Sequence, residues 1–178
     1  YVVTDADLLE FGSPTIAQAL SFVPGMFVKT NGAFGGVESV LVRGASSEQT
    51  LVLIDGRPAG DADLGDFDLS SLASGAVERV EIVEGGASTL YGSGAVGGVV
   101  DIITVPPGGE SASAYQQVGF EGASSTGLRA SAGGEQTLAT SIAVQSTHER
   151  DAFAYPSFST IPAGTRTDDD AKTDDVTV

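Results

Sequence analysis

The sequence predicts a small α+β domain followed by a series of antiparallel strands, and three observations predict it. Short β-branched runs alternate with turn residues through roughly the first hundred positions. One stretch among them spaces its apolar residues as a helix does. After Pro106-Pro107-Gly108-Gly109 the text becomes rich in Ser, Ala and Thr, with apolar and small polar residues alternating. That shift sets an expected boundary, with residues 1–106 as one domain and 107–178 as the beginning of another. The balance of 8 Lys+Arg against 24 Asp+Glu, a formal charge of −16, argues against any partner bound by phosphate neutralisation, so no nucleic acid is expected. With no Cys and one His, disulfide scaffolds, thiolate zinc sites and any site needing two imidazoles are excluded. No apolar run approaches the roughly 20 residues of a membrane helix. Tyr1 stands first with no signal-type segment behind it, which implies a removed leader or a start within a longer sequence.

Each element follows from local chemistry. Val2, Val3 and Thr4 read as a short strand. Ser13 reads as a helix N-cap with Pro14 at the first helical position, and Ile16, Ala19, Leu20 and Val23 form one apolar stripe that Pro24-Gly25 terminates. Strands are expected over residues 26–30, 37–42 and 50–54, the last ending in the turn Asp55-Gly56. Asp68 can cap a single helical turn running to Leu72. Residues 77–83 alternate apolar Val80 and Ile82 with charged Arg79 and Glu81, as a half-buried strand does. Residues 99–104 form another β-branched run. Beyond the boundary, Leu128, Ala130 and Ala132 alternate with Arg129, Ser131 and Gly133, and Ile142 and Val144 with Ser141, Ala143 and Gln145. That pattern fits a membrane β-strand or a soluble sandwich strand equally well.

Several motifs invite chemistry and are weighed against plainer readings. Gly92-Ser93-Gly94-Ala95-Val96-Gly97 satisfies G-x-G-x-x-G, but a dinucleotide site needs a helix next, and the β-branched residues that follow make a strand. Those glycines are expected to serve a tight turn or close backbone packing. The acidic stretch at 61–68 has neither the Gly at position six nor the Glu at position twelve of an EF-hand. A second acidic run, Asp168, Asp169, Asp170, Asp174 and Asp175, offers hard oxygen ligands of the kind calcium takes. His148 reads as a surface residue, since no nucleophile elbow accompanies it. Arg43, closing an apolar strand, calls for a carboxylate partner that the sequence does not name.

An ordered series of segments then resembles the plug domain of TonB-dependent outer-membrane receptors. It comprises Thr15-Ile16 to Leu20 with Val23-Pro24-Gly25-Met26, Val40-Leu41-Val42-Arg43-Gly44, Val52-Leu53-Ile54-Asp55-Gly56, Val77-Glu78-Arg79-Val80-Glu81-Ile82, and Leu90-Tyr91-Gly92-Ser93 running into Ala95-Val96-Gly97-Gly98-Val99-Val100-Asp101-Ile102-Ile103-Thr104. The stretch from Glu110 onward is similar to the first strands of the receptor barrel. Two departures stand out: Glu84-Gly85-Gly86 occupies the place where such plugs usually carry Arg-Gly-Pro, and Asp101 replaces the usual Asn. The first departure bears on any ion pair between plug and barrel at position 84.

The resemblance implies an outer-membrane receptor for energised uptake of a bulky nutrient, with no catalysis and no required cofactor. Its partner would be a TonB-type energy-transducing protein, although the coupling segment is not visible in this chain. Among subfamilies the likeness is greatest to cobalamin receptors, siderophore receptors sharing the same plug motifs. By that likeness Asn31, Val37, Ala59 and Gly60 would face the ligand from two apical loops, and the run from Asp168 to Asp175 would lie in a long extracellular hairpin loop that binds calcium. A 22-stranded barrel of roughly ten-residue strands needs at least roughly 220 residues, which implies that this chain is part of a longer product. The rival reading is a free-standing periplasmic plug-like binding module that transports nothing.

Overall fold

A computed structural model describes residues 1–11, 15–31, 36–59, 67–106, 108–118, 124–133, 140–155 and 164–177, with backbone alone beyond residue 148. The chain opens with β1 (Val2–Thr4) and turns directly into α1 (Asp5–Glu10), a helix the apolar spacing did not reveal. Its signal is local: the Asp7 carboxylate accepts from the Thr4 amide at 2.8 Å and hydroxyl at 2.7 Å, a reciprocal cap of the T-x-x-D kind. These donors hold the half-buried Asp7 carboxyl below its ordinary pKa.

The expected apolar stripe becomes α2 (Ile16–Leu20), all of whose apolar residues are buried. Its start differs from expectation. Thr15, with extended backbone at φ −124° and ψ 157°, is the N-cap and accepts from the Gln18 amide at 3.2 Å; Ser13 and Pro14 lie outside the described residues. A left-handed Gly25 (φ +80°) then reverses the chain into β2 (Met26–Asn31).

β2 pairs with β3 (Val37–Val42) in a two-stranded sheet. β4 (Thr50–Ile54) follows and returns through Asp55-Gly56 to β5 (Arg57–Pro58). Both turn residues have positive φ, 50° and 74°, as a two-residue hairpin whose twist matches its strands requires. Asp55 is held there by the Thr104 amide and hydroxyl, at 2.8 and 2.7 Å, and the Gly56 amide donates to Asp101 at 3.1 Å. Asp101 therefore does here what an Asn oxygen could do equally well.

β6 (Val77–Glu84) and β7 (Gly98–Thr104) complete a mixed five-stranded sheet in the order β1-β6-β7-β4-β5, in which only β4 and β7 run parallel. Between them lie α3 (Ser88–Tyr91) and a 3-10 turn, Ser93–Ala95, that leads straight into β7. No helix opens after the glycine motif. Instead, a Cβ on Gly97 would collide with that of Ala45, and one on Gly98 would stand 2.6 Å from the Val83 carbonyl oxygen. Close chain approach is what these glycines supply. The core of the region is aliphatic, built from residues such as Ile16, Leu20, Val42, Val80, Val100 and Ile102.

After Thr104 a short connection leads to β8 (Ser111–Val118), β9 (Ser124–Ala132), β10 (Thr140–Tyr155) and β11 (Gly164–Thr177), an antiparallel sheet in chain order. Here the burial is inverted. Leu128, Ile142 and Val144 are 59%, 43% and 40% exposed, whereas Ser125, Ser131, Ala143 and Gln145 are 2–7% exposed. The polar face packs on the 3-10 turn Ser74–Ala76, which precedes β6, and the apolar face, with Ala112, Ala114 and Ala130, forms a shallow open hollow. A soluble sandwich buries the other set, so that reading of the alternation is corrected.

Candidate functional site

The described residues that flank the two expected ligand loops are tied to one another. Asn31 and Val37 are register partners closing the β2–β3 hairpin, and both are exposed. One residue further along, the Glu38 amide donates to the Asp68 carboxylate at 2.9 Å; the same oxygen caps the 3-10 turn Leu69–Ser71 through the Ser70 amide (3.0 Å) and hydroxyl (2.7 Å). Asp68 thus caps its turn as expected and also ties the exit of the second loop to the root of the first. Ala59 stands at the loop's entry, its amide donating to the Val52 carbonyl at 3.0 Å, and is half-buried against the aliphatic core. Gly60 lies outside the described residues.

Glu38 was missed by sequence reasoning. It is buried, and its Oε2 has no hydrogen-bond partner. Burial pushes its carboxyl above the usual carboxylate range, a Thr15 hydroxyl contact opposes this, and the Asp68 charge adds to it. The available signal was a lone charge opening the apolar strand Val37–Val42.

Arg43 finds its carboxylate in Glu84. The guanidinium approaches Glu84 Oε2 through Nε at 2.8 Å and Nη2 at 2.7 Å, with side-chain exposures of 63% for Arg43 and 14% for Glu84. Glu84 Oε1 is buried over Gly25, where a Cβ would come within 2.6 Å of it. Position 84, where the resemblance leads one to expect Arg, therefore serves an ion pair within the N-terminal region. It joins the end of β3 to the end of β6.

The acidic run lies in the long β10–β11 hairpin, on its second strand. Residues 168–175 belong to β11, paired with β10 so that Asp168 faces Asp151, Asp174 faces Ser146 and Asp175 faces Gln145. The backbone there is strand, not hairpin loop, because pairing with β10 continues past the bulge between Glu149 and Asp151. His148 is half-buried on β10 opposite Lys172, so its reading as a plain surface residue is adjusted.

The profile of the TonB-dependent Receptor Plug Domain matches residues 1–99. The chain belongs to that family. Among curated relatives, the vitamin B12 transporter BtuB of Photobacterium profundum is 40% identical over 110 residues, 62% of this chain and 18% of the relative. The BtuB of Vibrio vulnificus is 38% identical over 105 residues, 59% of this chain and 17% of its own length. This plug-bearing chain thus spans less than a fifth of the curated relatives it matches. Among solved structures, the siderophore receptor PirA of Acinetobacter baumannii superposes with a TM-score of 0.60 at 26% identity, over 84% of this chain and 24% of that one. A ferric enterobactin receptor of Pseudomonas aeruginosa, solved with enterobactin, gives 0.58 at 26% identity over 85% and 24%. The Pseudomonas aeruginosa PirA, at 23% identity and a TM-score of 0.59, shares the fold over 99% of this chain. The relatives are named as transporters and receptors, not as enzymes.

Proposed function

We propose that this chain is the plug and the first wall strands of an outer-membrane receptor that takes up a bulky nutrient, cobalamin or a metal chelate, under the pull of a TonB-type protein. The observation that carries the reading is the inverted sheet. Leu128, Ile142 and Val144 face outward while Ser125, Ser131 and Gln145 face the plug, the arrangement a barrel wall needs between lipid and a filled lumen. The same inversion disfavours a water-soluble periplasmic module, which would leave that apolar face wet. In this reading residues 1–106 form the plug, facing the periplasm from within the lumen, and 107–178 begin the barrel. The plug gates the pore and presents Asn31, Val37, Ala59 and Gly60 to the ligand.

The relatives' names favour cobalamin, and the solved neighbours keep iron chelates as the second reading. The test is uptake of labelled cyanocobalamin and of ferric enterobactin by the complete receptor, in host cells lacking their own receptors, with and without the energy-transducing protein. Uptake of one probe that needs that protein is expected; uptake of neither would end the proposal. Calcium at Asp168, Asp169, Asp170, Asp174 and Asp175 is proposed as an accessory. Calorimetry should show a calcium isotherm weakened by Asp170→Asn, and an unchanged isotherm would remove the site.

A further inference from the structure

The polar face of the second sheet carries a built socket. Gln145, 3% exposed on β10, accepts three donors on one oxygen: the Ser74 amide at 2.8 Å, the Ser74 hydroxyl at 2.8 Å and the Tyr115 hydroxyl at 2.9 Å. The Ser74 and Tyr115 hydroxyls also lie 3.0 Å apart. Tyr115, on β8, can reach so far because its register partner on β9 is Gly127: a Cβ there would overlap the tyrosine ring, so the ring lies flat across bare backbone. The ring edge also comes within 3.5 Å of where a Cβ on Gly75 would stand. Ala73, Ala76 and Ala143 close the contact as a small buried cluster.

Two further hydrogen bonds tie down the connection itself. The Val105 amide donates to the Ala76 carbonyl and the Gly109 amide to the Gly133 carbonyl, both at 2.9 Å. Every group of the socket comes from three consecutive strands that start within a few residues of the plug's last strand. Its assembly needs only short loops to close, and the tether keeps the Ser74–Ala76 turn at high effective concentration. Closing a barrel pairs its first strand with its last, the longest loop of all, and is correspondingly slow.

We propose that Tyr115, Gly127 and Gln145 form a docking socket for the Ser74–Ala76 turn that fills while the sheet is still open, so the plug is seated before the barrel closes. The 178-residue chain, whose described residues supply four strands of this sheet, serves as an open form for the test. In detergent micelles its Ser74 amide exchanges with solvent at least a hundredfold more slowly than an unfolded reference. Gln145→Leu speeds that exchange at least tenfold and leaves the Val80 and Val100 amides of the plug sheet unchanged. Gln145→Glu, which keeps the acceptor, holds the parental rate to within about threefold. Gly127→Val, which pushes the ring away, behaves as Gln145→Leu. An unprotected Ser74 amide in the parent chain overturns the proposal, whether the socket or the plug is at fault. So does an identical response to Gln145→Leu and Gln145→Glu. In refolding of the complete receptor, Ser74 protection arriving only after the barrel has closed overturns it as well.

Discussion

The two sheets of this molecule obey opposite rules. The five-stranded sheet of the plug buries Val80, Val100 and Ile102 and turns its charges, such as Arg79 and Glu81, toward water. The four-stranded sheet buries Ser125, Ser131 and Gln145 and turns Leu128, Ile142 and Val144 outward. Both alternate with period two, so periodicity identifies each as strand and leaves the direction open. What separates them is what each face meets. An aliphatic core rewards the first arrangement. A polar plug surface on one side and, in the proposed receptor, hydrocarbon on the other reward the second.

The comparison can be broken most severely at the glycines. Gly97→Val or Gly98→Val places side-chain atoms into Ala45 and Val42, or into the Val83 carbonyl, with no room to yield. A loss of about 4 kcal/mol or more is expected, enough to prevent plug folding, as seen by rapid limited proteolysis. A plug that melts cooperatively at the parental temperature would contradict the packing argument.

Next in size are paired substitutions on the two sheets. Ile102→Ala, at a fully buried position, should cost about 3 kcal/mol in any medium. Leu128→Ala should cost under about 0.5 kcal/mol in detergent, whereas Leu128→Arg should cost roughly 2 kcal/mol in a bilayer. Equal costs for Ile102→Ala and Leu128→Ala would erase the distinction drawn here.

Arg43→Ala is expected to cost about 1 kcal/mol in urea unfolding, since it leaves Glu84 shielded without its partner, although the exposed guanidinium keeps the loss modest. Changing both residues, Arg43→Ala with Glu84→Ala, should recover part of that loss.

The smallest effect is set by pH. Glu38 has a folded-state pKa raised by burial above the unfolded one, so its contribution to stability is present at low pH and fades as pH rises through the folded value. Glu38→Gln should therefore raise Tm by at most a few degrees at pH 7, with the gap closing as pH falls to about 4. A gap that widens on acidification would reverse the sign argument.

Much of this fold is legible in the residues, and the failures have identifiable causes. The bounds of β3 and β4, the Asp55-Gly56 hairpin and the Asp68 cap follow from local chemistry that the folded chain retains. The helix α1 is too short to show an apolar period, and only its Thr4–Asp7 cap betrays it. The ligand-loop residues named from the resemblance divide in the structure: Asn31 and Val37 cap an exposed hairpin, while Ala59 leans on the core. Long-range pairs were the hardest to see. Arg43 with Glu84, and Gln145 with Ser74, are 41 and 71 residues apart in sequence, and nothing local distinguishes such partners from other polar residues.

The direction of the second sheet is tested most directly by single tryptophan probes, each read against the same receptor without the probe. In the complete receptor reconstituted into vesicles with brominated acyl chains, single probes Leu128→Trp, Ile142→Trp and Ser131→Trp report lipid contact through fluorescence quenching. Strong quenching at positions 128 and 142, with little at 131, is the predicted result. Quenching that is equal at all three, or strongest at 131, would contradict it.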